Sequence, residues 1–312
     1  MNLGIFSDDL MYVFVGIVVV LVVATLVTAI LKRRKPSDAL HEVDLRIRSW
    51  WVMFIIFAIA IVLHSTISLI FMALLCFLAL KEYFSLIPFN RAHRLVLFWA
   101  YLAIPIQFLF IYFEQYGMFI IFIPVYMFLL IPIQAIFVGD TKNFLQSIAS
   151  VQWGMMLMVF GLSHLAFLLV LPGKENGLIG AGLVLYLVVL TQANDVAQFL
   201  WGKMLGKKKI VPKVSPNKTW VGFVGGLLTT TVLAVILAPL LTPFSILASI
   251  ISGLYIALMG FIGDVNISAL KRDLAIKDTS SIIPGHGGIL DRVDSLTYTA
   301  PLFLHFTRFF YF

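Results

Sequence analysis

The sequence predicts an all-α, polytopic integral membrane protein with about ten transmembrane helices and both termini on the outer side. Three observations lead there. Hydrophobic residues make up 61% of the chain and charged residues only 12%, a balance that no soluble globular domain of this size shows. A bilayer span needs about 20 mostly apolar residues, and the 312 residues divide into apolar runs of roughly that length separated by short polar segments. Of the 22 Lys and Arg residues, only Lys174 and Arg308 fall outside the loops that this arrangement puts in the cytoplasm, as the positive-inside rule requires. The net charge of +7 then belongs to membrane topology, which argues against nucleic acid as a partner. Cys76 is the single cysteine; it offers no intrachain disulfide and no CxxC metal pair.

The first span covers residues 10–31 and is stopped by Lys32, Arg33, Arg34 and Lys35. It is longer than the apolar core of a signal peptide and no small-residue cleavage site follows it, so it is read as a retained helix with its N-terminus outside. Residues 36–48 read as a polar connector. The next span starts at the interfacial pair Trp50 and Trp51, turns near His64, and returns through residue 80. Lys81 and Glu82, with Arg91, His93 and Arg94, read as a cytoplasmic loop. Further spans follow at 95–113 and 118–137, the latter holding Pro124 and Pro132 as candidate kinks, then at 148–171. Residues 139–143 read as a short loop, and residues 172–177 as a tight outer turn. The span at 178–201 carries Gln192, Asn194, Asp195 and Gln198 near its inner end. Spans at 220–241, 244–262 and 296–311 complete the set. Three regions result: an added N-terminal helix with its connector (1–48), N-terminal membrane helices (49–145), and a C-terminal membrane region (146–312) with cytoplasmic loops at 202–219 and 263–295.

The residues with chemistry gather in those two loops and beside them. Asp195 is an ionisable residue inside a span and so a functional candidate, the alternative being a polar cap at the interface. Lys207, Lys208 and Lys209 read as an anchor on anionic lipid. Ser215, Pro216, Asn217, Lys218, Thr219 and Trp220 combine hydroxyls, an amide and a cation just before a helix start, a setting that attracts phosphate; no GxxxxGK[ST] is present, so this is not a P-loop. Between Gly263 and Ser295 stand Asp264, Lys271, Arg272, Asp273, Lys277, Asp278, His286, Asp291, Arg292 and Asp294, interleaved with Gly285, Gly287 and Gly288. Carboxylates for a divalent cation, cations for phosphates and glycines for close backbone approach suit phosphoryl or nucleotidyl transfer. The alternative is a solvated loop of salt bridges. A loop of this length without secondary structure is uncommon unless it has a function. His41, His64, His93, His164 and His305 are scattered and are read as packing or interface residues.

The run Ser268-x-Leu270-Lys271-Arg272-x4-Lys277-Asp278-x-Ser280-x2-Ile283-Pro284-x-His286-Gly287-Gly288-Ile289-x-Asp291-Arg292-Val293-Asp294 resembles the signature of the phosphatidate cytidylyltransferase (CDP-diacylglycerol synthase) family at every position of that pattern. Ser215 to Trp220 and the pair Asn194-Asp195 resemble upstream motifs of the same family, in the same order. The resemblance covers residues 190–296. Two positions depart: Val221 and Ile267 stand where the family usually has Glu, which opens the question of the acceptor lipid.

The resemblance implies transfer of CMP from CTP to phosphatidate, giving CDP-diacylglycerol and pyrophosphate. It implies Asp264 and Asp291 as ligands of Mg²⁺, with K⁺ a candidate second cation. Asp264, Lys271, Lys277, Asp278 and Asp291 are then the catalytic candidates. Asn194, Asp195, Ser215, Asn217, Lys218, Arg272, His286, Gly287, Gly288, Arg292 and Asp294 are the substrate-binding candidates. The expected partners are CTP, phosphatidate or a related lipid phosphate, membrane lipid and a second copy of the chain. The expected location is a bacterial inner (plasma) membrane with the site facing the cytoplasm. Three alternatives stay open: the same chemistry on another lipid phosphate, a catalytically silent membrane relative, and a transporter built around Asp195.

Overall fold

In hydrocarbon, every backbone N–H and C=O must find its partner within its own segment, so apolar runs become helices. The computed structural model describes residues 8–34, 37–62, 65–88, 94–139, 143–173, 177–283 and 287–312. Lys35, His64, Arg91, His93, Lys142, Lys174 and His286 lie outside the described residues, as do residues 140–142 of the short loop and 174–176 of the outer turn.

In chain order the helices are α1 (Asp8–Arg34), α2 (Asp38–Val62), α3 (Ser65–Leu86), α4 (Arg94–Tyr112), α5 (Tyr116–Ile121), α6 (Phe128–Val138), α7 (Phe144–Gly154), α8 (Leu162–Val170), α9 (Gly177–Leu205), α10 (Trp220–Leu241), α11 (Ile246–Asp273), α12 (Leu290–Val293) and α13 (Leu296–Tyr311). The wider i→i+5 segment Phe122–Met127 joins α5 to α6, and Met155–Gly161 joins α7 to α8, so each pair is one continuous rod. Pro124 sits in the first of these segments. Proline has no N–H to give and clashes with the preceding turn, and widening the helix relieves both. The second widening contains no proline and had no signal in the sequence.

Among the described residues, seven helices are long and apolar enough to cross a membrane: Asp9–Arg34, Ser65–Leu86, Tyr116–Phe137, Phe144–Val170, Ile179–Leu205, Trp220–Leu241 and Ile246–Asp273. The other runs expected to span are the shorter apolar helix Val96–Tyr112, α2 and α13.

Several boundaries differ from the sequence reading, α9 among them, which runs on to Leu205. The expected polar connector is helical from Asp38 onward. Its charges pair at helical spacing, Arg46 with Glu42 at 2.5 Å and Arg48 with Asp44 at 3.1 Å, and Lys32 of α1 reaches Asp44 at 3.0 Å. α3 runs on to Leu86, which takes Lys81 and Glu82 out of the expected loop and into the last helical turns. α11 runs on to Asp273, so Asp264 lies inside a helix and not at its end.

α9, α10 and α11 pack on one another, and α9 and α11 also meet α13. α8 lies against α9, α13 and α3, while the α1–α2 hairpin rests on α10 and α3. Small residues allow the closest approach. A Cβ at Gly222 would lie 2.6 Å from the Gln198 carbonyl oxygen, and one at Gly226, a turn later, would meet the Gln198 side chain. This is a glycine-every-fourth-residue seam, which lets two helices approach backbone to backbone. Gly222→Ala should force α9 and α10 apart and cost about 1–3 kcal/mol. Thermal unfolding in detergent checks this, and an unchanged midpoint would mean that the seam yields freely.

Candidate active site

α11 is the spine of the site. Gly260, Gly263, Asp264, Ser268 and Lys271 follow at spacings of three and four, which gathers them on one side. A Cβ at Gly263 would lie 2.7 Å from the Asp294 carbonyl oxygen, so glycine is what allows residues 294–295 to lie directly on α11. Asp264 and Lys271 are seven residues apart, about 10 Å along the axis. Each is the centre of one half of the site.

The first half is built around Lys218. The loop before α10 is closed by two backbone hydrogen bonds, Ile210 N–H to Lys218 O at 3.1 Å and Trp220 N–H to Lys208 O at 3.1 Å. Thr219 then caps α10, its hydroxyl accepting the Gly222 N–H at 3.1 Å. Held at both sides, Lys218 turns its ammonium inward. Its Nζ lies 2.5 Å from Asp264 Oδ2 and 3.0 Å from Gln198 Oε1, and 5.6 Å from the Phe261 ring centre. Asp195 accepts from the Ser295 hydroxyl at 3.2 Å, and Ser268 donates to Asp264 Oδ1 at 3.3 Å. Burial opposes the charge on Lys218, but Asp264, Asp195 and Asp294 outweigh it and raise its pKa above the ordinary lysine value. Asp294 is pushed well above the carboxylate range, first by burial and then by Asp264 and Asp195.

The second half is built around Asp291 at the start of the short helix α12. Its Oδ1 takes the Lys271 ammonium at 2.8 Å. Its Oδ2 accepts from Thr279 N–H at 2.9 Å, Thr279 Oγ1 at 2.8 Å and Gly288 N–H at 3.0 Å. Gly287 has φ +76°, and a Cβ there would stand 2.5 Å from Asp291 Oδ2; glycine is needed both for the left-handed backbone and for the approach of the carboxylate.

Burial alone would raise the pKa of Asp291, but the Lys271 ammonium and the backbone N–H groups of Gly288 and Thr279 prevail and hold it below the usual range. A carboxyl whose folded pKa is depressed stabilises the fold above its unfolded pKa. That contribution is lost as pH falls through the folded value. The wild-type melting temperature should therefore drop faster than that of Asp291→Asn on acidification below about pH 4. Asp294, shifted the other way, is common to both proteins and cancels. Parallel slopes in detergent would contradict the assignment.

Two buried donors, Gln198 Nε2 and Arg292 Nε, have no hydrogen-bond partner among the described residues, in a region that also contains Lys218 and Lys271. Buried donors without acceptors are costly unless a ligand satisfies them. Among the described residues no group of three or more His, Cys, Asp or Glu side chains is placed to hold one metal ion. The carboxylates present are nevertheless the hard oxygen donors that Mg²⁺ prefers, and Mg²⁺ needs only one or two of them when substrate phosphates complete its shell. The Lys218 ammonium on Asp264 occupies the kind of position a cation would take.

Residues 44–310 match the model of the cytidylyltransferase family. The chain belongs to the cytidylyltransferase family. It is 45% identical over 289 residues to the uncharacterized protein YnbB of Escherichia coli K12, covering 93% of this chain and 95% of that one. It is also 42% identical over 135 residues to the phosphatidate cytidylyltransferase of Haemophilus influenzae, and 43% identical over 130 residues to that of Bacillus subtilis. Those two alignments cover 42% and 41% of this chain, and the chain spans about half the length of these relatives, 47% of each.

Within this cytidylyltransferase-family chain the expected residues divide. Asp195, Lys218, Asp264 and Asp294 gather in the first half, Arg292 lies beside them, and Lys271 and Asp291 form the second. The expected pair Asp264 and Asp291 is not joined; each carboxylate is held by a different lysine. Arg272 donates to Val214 O at 3.1 Å and Ile276 O at 3.3 Å, clipping the loop before α10 to the segment after α11. Lys277, Asp278 and Asn217 are exposed, and Ser215, two residues before Asn217, is half-buried. Asn194, expected among the substrate-binding residues, is fully buried: its amide donates to Ala257 O at 3.2 Å and accepts from Thr230 at 3.3 Å, tying α9 to α10 and α11. Gly288, expected among the substrate-binding residues, has its N–H on Asp291 Oδ2 at 3.0 Å. His286 lies outside the described residues. Of the two departures from the family pattern, Ile267 is 0% exposed on α11 and Val221 is 39% exposed on α10, so the two positions lie in different surroundings.

Glu82 is the participant that sequence reading missed. It is only 6% exposed, and its carboxylate accepts from Ile289 N–H at 2.9 Å, from Leu290 N–H at 3.3 Å and from the Thr279 hydroxyl. An acid at the end of an apolar run could have flagged it, but pairing it with Lys81 made it look like a loop residue.

Proposed function

We propose that this chain transfers CMP from CTP to phosphatidate at a membrane surface. A phosphate oxygen of the lipid attacks the α-phosphorus of CTP, the bond from that phosphorus to the bridging oxygen breaks, and pyrophosphate leaves with the electron pair. The observation that carries this reading is the pair of partly buried lysine–carboxylate contacts, Lys218 with Asp264 and Lys271 with Asp291, beside the orphan donors of Gln198 and Arg292. A triphosphate brings acceptors for the two orphan donors and competes with the carboxylates for the two ammonium groups, and little covalent chemistry is asked of the protein.

In this reading Lys218, Lys271 and Arg292 take phosphate oxygens, with Arg272 and the exposed Lys277 at the rim. Ser215, Asn217 and Gly287 line the phosphate path, and Asp195, Asp278 and Asp294 orient the cations; His286, outside the described residues, is a further proposed substrate-binding residue. Asp264 and Asp291 are the carboxylates that would hold Mg²⁺ once their lysines turn to phosphate, with K⁺ as a second cation. Bound there, Mg²⁺ would neutralise charge building on the phosphates. Ten spans, both termini outside, a homodimer and a bacterial inner membrane with the site facing the cytoplasm complete the proposal. The bias of Lys and Arg toward one side supports that orientation.

Pyrophosphate release by purified protein in detergent tests it. Release that requires CTP, phosphatidate and Mg²⁺ together upholds the proposal. The buried Ile267, apolar where the family pattern has an acid, favours a second reading in which the acceptor is another lipid phosphate. A panel of lipid phosphates separates the two, and silence with every acceptor from folded protein that binds CTP would sink both.

A further inference from the structure

The geometry points to Glu82 as a positioning residue that holds the Asp291 loop in its working shape; as a statement about catalysis, it rests on the function just proposed. Glu82 is on α3, 207 residues before Ile289 in sequence. Its Oε2 accepts the Ile289 N–H and its Oε1 the Leu290 N–H, the two N–H groups that open α12. The Thr279 hydroxyl stands between Glu82 Oε1 and Asp291 Oδ2, 2.8 Å from the latter. A hydroxyl has one hydrogen to donate, and whichever carboxylate receives it, the other still has backbone N–H donors. Gly288 is fitted to this contact: a Cβ there would collide with both Glu82 Oε1 and the Thr279 hydroxyl. One carboxylate therefore grips the loop at residue 279 and again at residues 289–290, on both sides of the segment that approaches Asp291.

Burial of a charge without need is unfavourable, and an apolar side chain would pack at this position without that cost. The atoms that gain from a carboxylate here are those that fix Asp291, and through it Lys271. Nothing in Glu82 touches α11 directly in the hydrogen bonds described, so its effect on the reaction passes through the loop.

The test compares full-length wild type, Glu82→Ala and Glu82→Gln in detergent. Amide hydrogen exchange of segments 277–283 and 287–293 is read beside kcat and KM for CTP. Glu82→Ala should raise exchange at Gly288, Ile289 and Leu290 about tenfold. It should lower kcat about 10- to 100-fold with little change in KM. Glu82→Gln, which keeps one acceptor oxygen, should recover part of both effects and also serves if the alanine variant does not fold. Combined with Asp291→Asn, the loss should be less than the product of the single losses, because both changes act on one loop. Unchanged exchange, or losses that multiply as independent effects, would overturn the inference. If wild-type protein releases no pyrophosphate with any acceptor, the functional proposal fails, and the exchange data alone decide whether Glu82 holds the loop.

Discussion

Lys218→Met should stop pyrophosphate release, with a loss of about 10²–10³-fold or more, and should destabilise the protein by about 3–5 kcal/mol. The side chains of Lys218 and Asp264 are only 16% and 23% exposed, so solvent screens their contact weakly. Removing the ammonium leaves Asp264, Asp195 and Asp294 facing one another with Arg292 as the remaining counter-charge. It also strips Gln198 Oε1 of its donor. A double variant, Lys218→Met with Asp264→Leu, separates the two losses. Replacing a buried ion pair by apolar groups is often nearly neutral for stability, so the double variant should regain most of its melting temperature and none of its turnover. Turnover that survives in Lys218→Met would remove this lysine from the phosphate site. Stability that does not return in the double variant would show the pair to be structural.

Asp291→Ala should have an effect of similar size through a different route. It removes the acceptor for Thr279 N–H and Gly288 N–H, leaves the Thr279 hydroxyl to Glu82 alone, and leaves the partly buried Lys271 without its partner. A cost of about 3–5 kcal/mol is expected, concentrated in the loop between α11 and α12, together with loss of measurable turnover. Asp291→Asn keeps one oxygen and should be intermediate in stability, because its amide cannot serve both Lys271 and the N–H groups opposite. Melting in detergent and pyrophosphate release, measured side by side, read the two effects. Full turnover in either variant would end the role assigned to Asp291 in catalysis.

Much of the membrane architecture was legible because hydrocarbon imposes it locally. An apolar run of span length has to be a helix wherever it lies, and each run read as a span is helical among the described residues. The polar edges of those helices were less legible. Helical pairs such as Glu42 with Arg46 support a helix that composition alone reads as a connector. Lys81 and Glu82 looked like loop residues because charge at the end of a span usually means water, whereas Glu82 is buried against backbone N–H groups from the far end of the chain.

The candidate site was legible as a set of residues and illegible as an arrangement. The density of Asp, Lys and Gly between residues 263 and 295 marked the candidate, since carboxylates, cations and glycines together suit phosphate chemistry. Pairing was beyond its reach. Asp264 and Asp291 looked like partners because both are acids near the same loop. In the fold, Lys218 takes one and Lys271 the other. Asn194 looked like a ligand because it adjoins Asp195, yet successive residues on a helix point about 100° apart, and its side chain faces α10 and α11.

By itself, then, the sequence determined the material of this protein: helices long enough for a bilayer, cations gathered in the segments between them, and a composition suited to phosphate in one stretch. Those properties depend on near neighbours and on the solvent, and both can be read from order and composition. Only the tertiary structure decided which cation neutralises which carboxylate, which amide is spent on packing, and that a glutamate of α3 secures a loop two hundred residues away. Contacts of that kind are set by how helices cross and by what each burial leaves unsatisfied, and neither is written in the spacing of residues along the chain.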